Sequence, residues 1–335
     1  MKVLFIGGTG NLSLASTREA VGRGIDVVHF NRGRTGNKPG YDVPDGVKTI
    51  VGDIHDRRSA RELLASERFD CVVDWIAFTP EDIRFDIDLF RDRTRQFIFI
   101  SSASVYHKPP RHYLITESTP AYNPYWEYSQ NKIACEDILR REYQESGFPM
   151  TIVRPSHTYS DGWFPTTFES TDFTVPQRML DGRPIVVHGD GQSLWTLTHA
   201  NDFALGFNGL LSNPAAIGET FHITSDESIT WDEIHQTIAS ALGTQAKIVH
   251  ATSDMIARLS PQSGEGLLGD KQFSLVFDNT KIKRVVPGFR ATIPFFEGMR
   301  RSVSWINSHP EEKTVNKQLD VLIDDIVSAI EPIIR

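Results

Sequence analysis

The chain is poor in cysteine, in long apolar runs and in net positive charge, and each shortage removes a class of function. Two cysteines, Cys71 and Cys135, in 335 residues cannot staple a disulfide scaffold. Both fall in segments that read as a buried strand and a helix, so packing in a reducing compartment is expected. No window approaches the roughly 18 apolar residues of a membrane-spanning helix. The apolar run Val3 to Ile6 leads straight into a glycine turn and leaves no room for a cleavable leader. A cytoplasmic protein without a membrane partner is the expectation. A net charge of −8 opposes a nucleic-acid partner, whose binding draws on clustered Lys and Arg, and favours a small-molecule substrate. The eleven histidines show no metal-ligand spacing, so no metal is expected.

What is present is ordinary globular composition, 39% hydrophobic and 23% charged, enough for a core of normal size. Short apolar runs at Val3 to Ile6, Val27 to Phe30, Lys48 to Val51, Cys71 to Asp74, Phe97 to Ile100 and Met150 to Val153 read as buried parallel strands. Helical patterns at Leu12 to Gly22, Arg57 to Ser66, Pro80 to Asp92 and Glu127 to Glu145 separate most of them. The alternation predicts an α/β fold, a Rossmann-type doubly wound parallel sheet over residues 1–154. A smaller substrate lobe, interleaved with returns to the sheet, is expected over 155–310, and a final amphipathic helix over 311–335. The Gly, Pro and aromatic-rich stretch Pro155 to Phe173 reads as long loops. Helices are expected at Trp231 to Leu242 and Pro294 to Asn307.

The first strand is followed by Gly7, Gly8, Thr9, Gly10, Asn11 and Leu12, then by a helix. Gly7 suits the turn's backbone angles, and Gly10 lets the chain approach a pyrophosphate at the helix N-terminus. A dinucleotide cofactor, NAD(P), is therefore predicted. Ser13 takes the third small position. At the end of the second strand stand Asn31, Arg32 and Arg34 rather than a ribose-binding acid, which favours NADP over NAD through a guanidinium clamp on the 2′-phosphate. Asp53, before Ile54, is placed for an adenine contact or for capping the next helix.

Tyr128 and Lys132 lie four apart in a helical stretch, on one face. A phenol with a pKa near 10 needs that value lowered by about 3 to act as a base near neutrality, and an ammonium one turn away can contribute. Ser101, Ser102 and Ser104 follow the fifth strand, where a hydroxyl could align a substrate oxygen.

These motifs resemble those of the extended short-chain dehydrogenase/reductases, the NAD-dependent epimerase/dehydratase group that includes UDP-galactose 4-epimerase. The likeness runs over most of the chain: Gly-Gly-Thr-Gly at 7–10, Gly-Asp at 52–53, Ser-Ser-Ala-Ser-Val-Tyr at 101–106, Tyr-Ser-Gln-Asn-Lys at 128–132, Arg154-Pro155 and Gly-Asp-Gly at 189–191. The resemblance implies Ser102, Tyr128 and Lys132 as the catalytic set. It also implies Lys132, Ala77 and Pro155 beside the cofactor, Ser104, His157 and Trp195 toward the substrate, and a homodimer formed through the helix of the Tyr-Lys pair. The implied activity is that of an epimerase or oxidoreductase acting on a hydroxyl or keto carbon of a sugar-like compound.

Three departures qualify it. Ala103 and Ser104 replace the Asp-Glu pair of the 4,6-dehydratases, which disfavours that subclass. Trp195 stands where an arginine would grip a substrate diphosphate, which raises the rival of a carbonyl reductase for a non-nucleotide molecule. Trp75, in Asp74-Trp75-Ile76-Ala77-Phe78, would put aromatic bulk near the cofactor; both tryptophans have the alternative of being plain core. A second rival is a cofactor-sensing or RNA-binding member of the same scaffold. His199 and Asp202 are open to a helix-capping role.

Overall fold

The computed structural model describes residues 1–34, 40, 42–168 and 171–334. Seven strands run parallel in one sheet: β1 (Lys2–Ile6), β2 (Asp26–Asn31), β3 (Lys48–Val51), β4 (Cys71–Asp74), β5 (Phe97–Ile100), β6 (Met150–Pro155) and β7 (Thr220–Ile223), in the order β7-β6-β5-β4-β1-β2-β3. The chain order reverses between β1 and β4, so the crevice for a ligand opens at the carboxyl ends of those two strands. Six of the seven coincide with the apolar runs. β7 was not among them: it returns to the sheet after the chain has built much of the lobe.

The pleat sorts the strand residues onto two faces. Leu4, Ile6, Val28, Phe30, Val72, Phe97 and Ile152 are buried beneath α2 (Arg57–Leu64), α3 (Pro80–Phe90) and α4 (Glu127–Ser146). Val3, Phe5, Val27, Val73, Ile98 and Val153 are buried on the other face, with α1 (Asn11–Gly22) and α5 (Ala200–Asn208), whose Phe203 and Phe207 join that core. A helix on each face is what fully apolar strands require. Cys71 and Cys135 are buried and unpaired.

The lobe has its own core, centred on Trp195, Trp231, Tyr159 and Val186, closed by α6 (Trp231–Ala241), α7 (Phe295–Ser308) and α8 (Lys317–Ile334). Leu319, Ile323, Ile326 and Ile330 bury one stripe of α8 in that core, as the helical spacing predicts. The stretch after Pro155 is less irregular than its composition suggests. His157–Tyr159 forms a short strand that pairs in parallel with Leu197–His199, so the expectation of loops alone is corrected there. Among the described residues no helix is long and apolar enough to cross a membrane, and no cluster of His, Cys, Asp or Glu could hold a metal ion.

Candidate active site at the carboxyl edge of the sheet

The turn after β1 is built by its own residues. Gly7 has φ +81°, which a side chain would strain, and a Cβ there would lie 2.5 Å from Ile76. Ser13 Oγ donates to the Gly7 carbonyl at 2.8 Å and accepts from Gly10 N at 2.8 Å, so the residue in the third small position ties the loop shut. Gly8 is required for a reason its motif does not state. A Cβ there would lie 2.4 Å from the buried His29 ring, whose Nε2 pairs with Thr17 Oγ1 at 2.8 Å. At Gly10 a Cβ would meet nothing but Ser13 Oγ, at 3.3 Å. The space over that peptide is thus open, and it adjoins Asn11 and Leu12 at the start of α1. This is a cradle of the kind a pyrophosphate occupies, so the residues present fit a dinucleotide.

The remaining predicted cofactor contacts ring the same edge. Asn31 is half-buried, and Arg32 and Arg34 are exposed beyond β2. Asp53 accepts from His55 N at 3.0 Å and does not cap α2; that cap is Asp56, whose side chain accepts from Ser59 N, so the capping alternative for Asp53 is corrected. Ile54 and Ala77 are buried, 7% and 2% exposed. Pro155 ends β6. Trp75 points away from this crevice and joins the aromatic core with Phe5 and Phe207, at ring separations of 5.5 and 4.8 Å. The aromatic bulk expected near the cofactor comes instead from Phe78, three residues on.

The catalytic candidates converge although they leave different elements. Ser102 follows β5, and Tyr128 is the second residue of α4, near enough for the Ser102 hydroxyl to act on the protonation of the phenol. Lys132, one turn along α4, is 1% exposed. Its Nζ donates to the carbonyls of Ala77 at 2.7 Å and Ile100 at 2.8 Å, and lies 4.6 Å from the Phe78 ring centre and 5.7 Å from that of Tyr128. Two of its three N–H donors are thereby used, which leaves one for a ligand. Burial drives Lys132 down to about 8. It also pushes Tyr128 up to about 12, with Asp270 adding to the rise and the Ser102 hydroxyl opposing it. The sequence-level expectation of a lowered phenol is therefore reversed in the chain alone, because desolvation outweighs the Ser102 hydroxyl that opposes it.

Ser104 lies behind Ser102: the two Oγ atoms are 2.9 Å apart, and Ser129 Oγ donates to Ser104 Oγ at 2.7 Å. α4 is fastened to β6 by the buried pair Arg154 and Glu136, at 2.8 and 2.5 Å. On the lobe side, Trp195 is 4% exposed and donates from Nε1 to His157 Nδ1 at 3.1 Å. Burial holds the His157 imidazole neutral, down to about 3. Trp195 also packs on Trp231, with ring centres 5.4 Å apart. His199 caps α5, and Asp202 accepts from Thr292 N and Ile293 N, so both are structural.

Sequence reasoning missed two contributions. Ser129 is the neighbour of Tyr128 in the same motif, and its place on the inner face of α4 was readable from helical spacing. Asp270 had no local signal. It is carried over from the lobe by Gly269, whose carbonyl accepts from Asn123 Nδ2 at 2.7 Å, and it pairs with the fully buried Lys108 at 2.7 Å.

Comparison with known proteins shows the family. The chain is 25% identical over 290 residues to 2′-dehydrokanamycin reductase of Streptomyces kanamyceticus, covering 87% of this chain and 80% of that protein. It is 28% identical over 259 residues to the chloroplast stem-loop binding protein of 41 kDa b of Arabidopsis thaliana, covering 74% and 65%. In structure it is similar to an epimerase of Methanothermobacter thermautotrophicus, with a TM-score of 0.76, 18% identity and coverage of 92% and 93%. Residues 3–224 match the family described as NAD dependent epimerase/dehydratase, and the chain belongs to that family.

Proposed function

We propose that the protein is an NAD(P)-dependent oxidoreductase or epimerase acting at a hydroxyl or keto carbon of a sugar-like substrate, with Tyr128 as proton donor and acceptor. The observation that carries this reading is the convergence of Ser102, Tyr128 and the buried Lys132, whose Nζ lies 5.7 Å from the Tyr128 ring centre. When bound, the nicotinamide supplies or takes up the hydride. Gly7 to Leu12 would hold the cofactor's pyrophosphate, Asp53 and Ile54 its adenine, and Lys132 with Ala77 and Pro155 its nicotinamide end. Ser102 Oγ aligns the substrate oxygen, braced from behind by Ser104 and Ser129. Tyr128 Oη gives that oxygen a proton as the carbonyl is reduced, and takes it back in the reverse direction. A phenol held at about 12 rests protonated at neutral pH, as a proton donor to a carbonyl oxygen must be.

The buried Trp195 favours a substrate without a diphosphate. Its indole N–H is spent on His157. The similarity to 2′-dehydrokanamycin reductase supports the same reading. The exposed Arg32 and Arg34 support NADP over NAD. The test is oxidation of NADPH and NADH by the purified chain, followed by absorbance, with free keto-sugars and with UDP-linked sugars. Turnover of a free keto-sugar with NADPH preferred is the expected result. Tight binding of UDP-sugars would contradict the non-nucleotide reading, and salt-sensitive RNA binding without any turnover would contradict the enzyme.

A further inference from the structure

We propose that Asp74 and Asp86 form a proton-sharing carboxyl pair that positions Lys132 through the turn at the end of β4. The proposal rests on the reading of Lys132 given above. Both acids are 1% exposed, one ending β4 and the other in the middle of α3, and the mechanism uses neither. Asp74 Oδ1 accepts from Ile76 N at 2.6 Å and from Ala77 N at 2.7 Å. The Ala77 carbonyl in turn accepts from Lys132 Nζ at 2.7 Å. The carboxylate therefore fixes the peptide that holds the ammonium, and it also lies close enough for its charge to favour the protonated lysine.

Asp86 is the unexpected member. A lone Asp, Asn or Ser at position 74 would close the turn, and a second buried acid is costly unless it is neutral. Both carboxyls line one small buried cavity, where Asp86 Oδ2 has no hydrogen-bond partner among the described residues; two such groups side by side in a dry site cannot both ionise, so they hold one proton between them. The backbone donors stabilise charge on Asp74, so the proton resides on Asp86. Burial and the neighbouring Asp74 charge hold Asp86 well above the carboxylate range. The groups facing the pair are Asp82 and His55 at its rim, Arg57 from α2, and Lys132 and Cys135 from α4. Arg57 opposes the rise in Asp86 and Asp82 adds to it. The proton on Asp86 thus keeps the second carboxyl from repelling the first.

The test reads the proton and the lysine separately. In cofactor-free protein at neutral pH, difference infrared spectra of native against Asp86→Asn should show the carbonyl band of a protonated carboxylic acid in the native chain alone. Thermal unfolding adds a check on sign. Asp86 keeps a proton that the unfolded chain sheds above about pH 4, so native stability falls relative to Asp86→Asn as pH rises from there. In kinetics, Asp86→Leu should lower kcat about tenfold, with Asp86→Asn recovering most of the loss. Asp74→Asn, whose amide oxygen can still close the turn, should move the alkaline limb of the kcat/KM profile down by about one pH unit, which a purely structural role would leave in place. Absence of the infrared band, or an unmoved limb in Asp74→Asn, would overturn the proposal. Lys132→Met run alongside separates the two readings: native-like activity there would refute the role of Lys132 itself, whereas an inactive Lys132→Met beside an unshifted Asp74→Asn refutes only the carboxyl pair.

Discussion

The turn after β1 and the bed around Trp195 both bring polar groups to the carboxyl edge of the sheet, but they are assembled differently. In the turn, Ser13 closes a loop on Gly7, six residues back. In the lobe, Trp195 meets His157 across 38 residues and packs against Trp231 from a third segment. A local device advertises itself in sequence, because each residue is constrained by neighbours that can be read beside it. A device assembled from distant segments carries no spacing. The electrostatics divide the same way: the turn offers an open cradle of peptide groups, whereas the lobe and α4 offer desolvated side chains whose protonation is set by burial.

The sharpest way to break that contrast is inside the turn itself. Gly8→Ala should cost about 1–3 kcal/mol, measured by denaturant unfolding, because its Cβ would collide with the His29 ring. Gly10→Ala should leave stability within about 0.5 kcal/mol, yet weaken cofactor binding about tenfold in a fluorescence titration, since its Cβ enters only the open cradle. Equal effects on folding from both would remove the distinction between a packing glycine and a binding one. On the lobe side, Trp195→Phe keeps the ring but leaves the buried His157 Nδ1 without its donor, at about 1–3 kcal/mol and with a higher KM for substrate. The smallest expected effect is a pH dependence. Lys132, held down at about 8, keeps its charge below that pH and loses it above. The rate of carbonyl reduction should therefore be level through neutrality and decline above about pH 8, while Tyr128 stays protonated throughout.

Legibility followed the same division. Six strands and the helices between them were visible because parallel strands buried on both faces are apolar throughout and end in turn residues. β7 was not, since Thr220–Ile223 is short and follows a long excursion through the lobe. Tyr128 and Lys132 became candidates from helical spacing together with the family resemblance, and that resemblance singled out Ser102 among the serines after β5. The protonation of Tyr128 was not readable, because it depends on burial in the folded chain and on the charge of Asp270, which lies over a hundred positions away. Trp75 stayed open between crevice and core for a simpler reason: alternation at a strand end decides which face a side chain takes, and β4 ends at Asp74, one residue before it.

The central claim is that Tyr128 moves the proton while other residues hold the cofactor. It is tested most directly by Tyr128→Phe, with turnover and cofactor affinity measured on the same preparation. The account predicts turnover lower by at least about a hundredfold, with cofactor affinity close to that of the native chain. Native turnover in the Tyr128→Phe chain would contradict it.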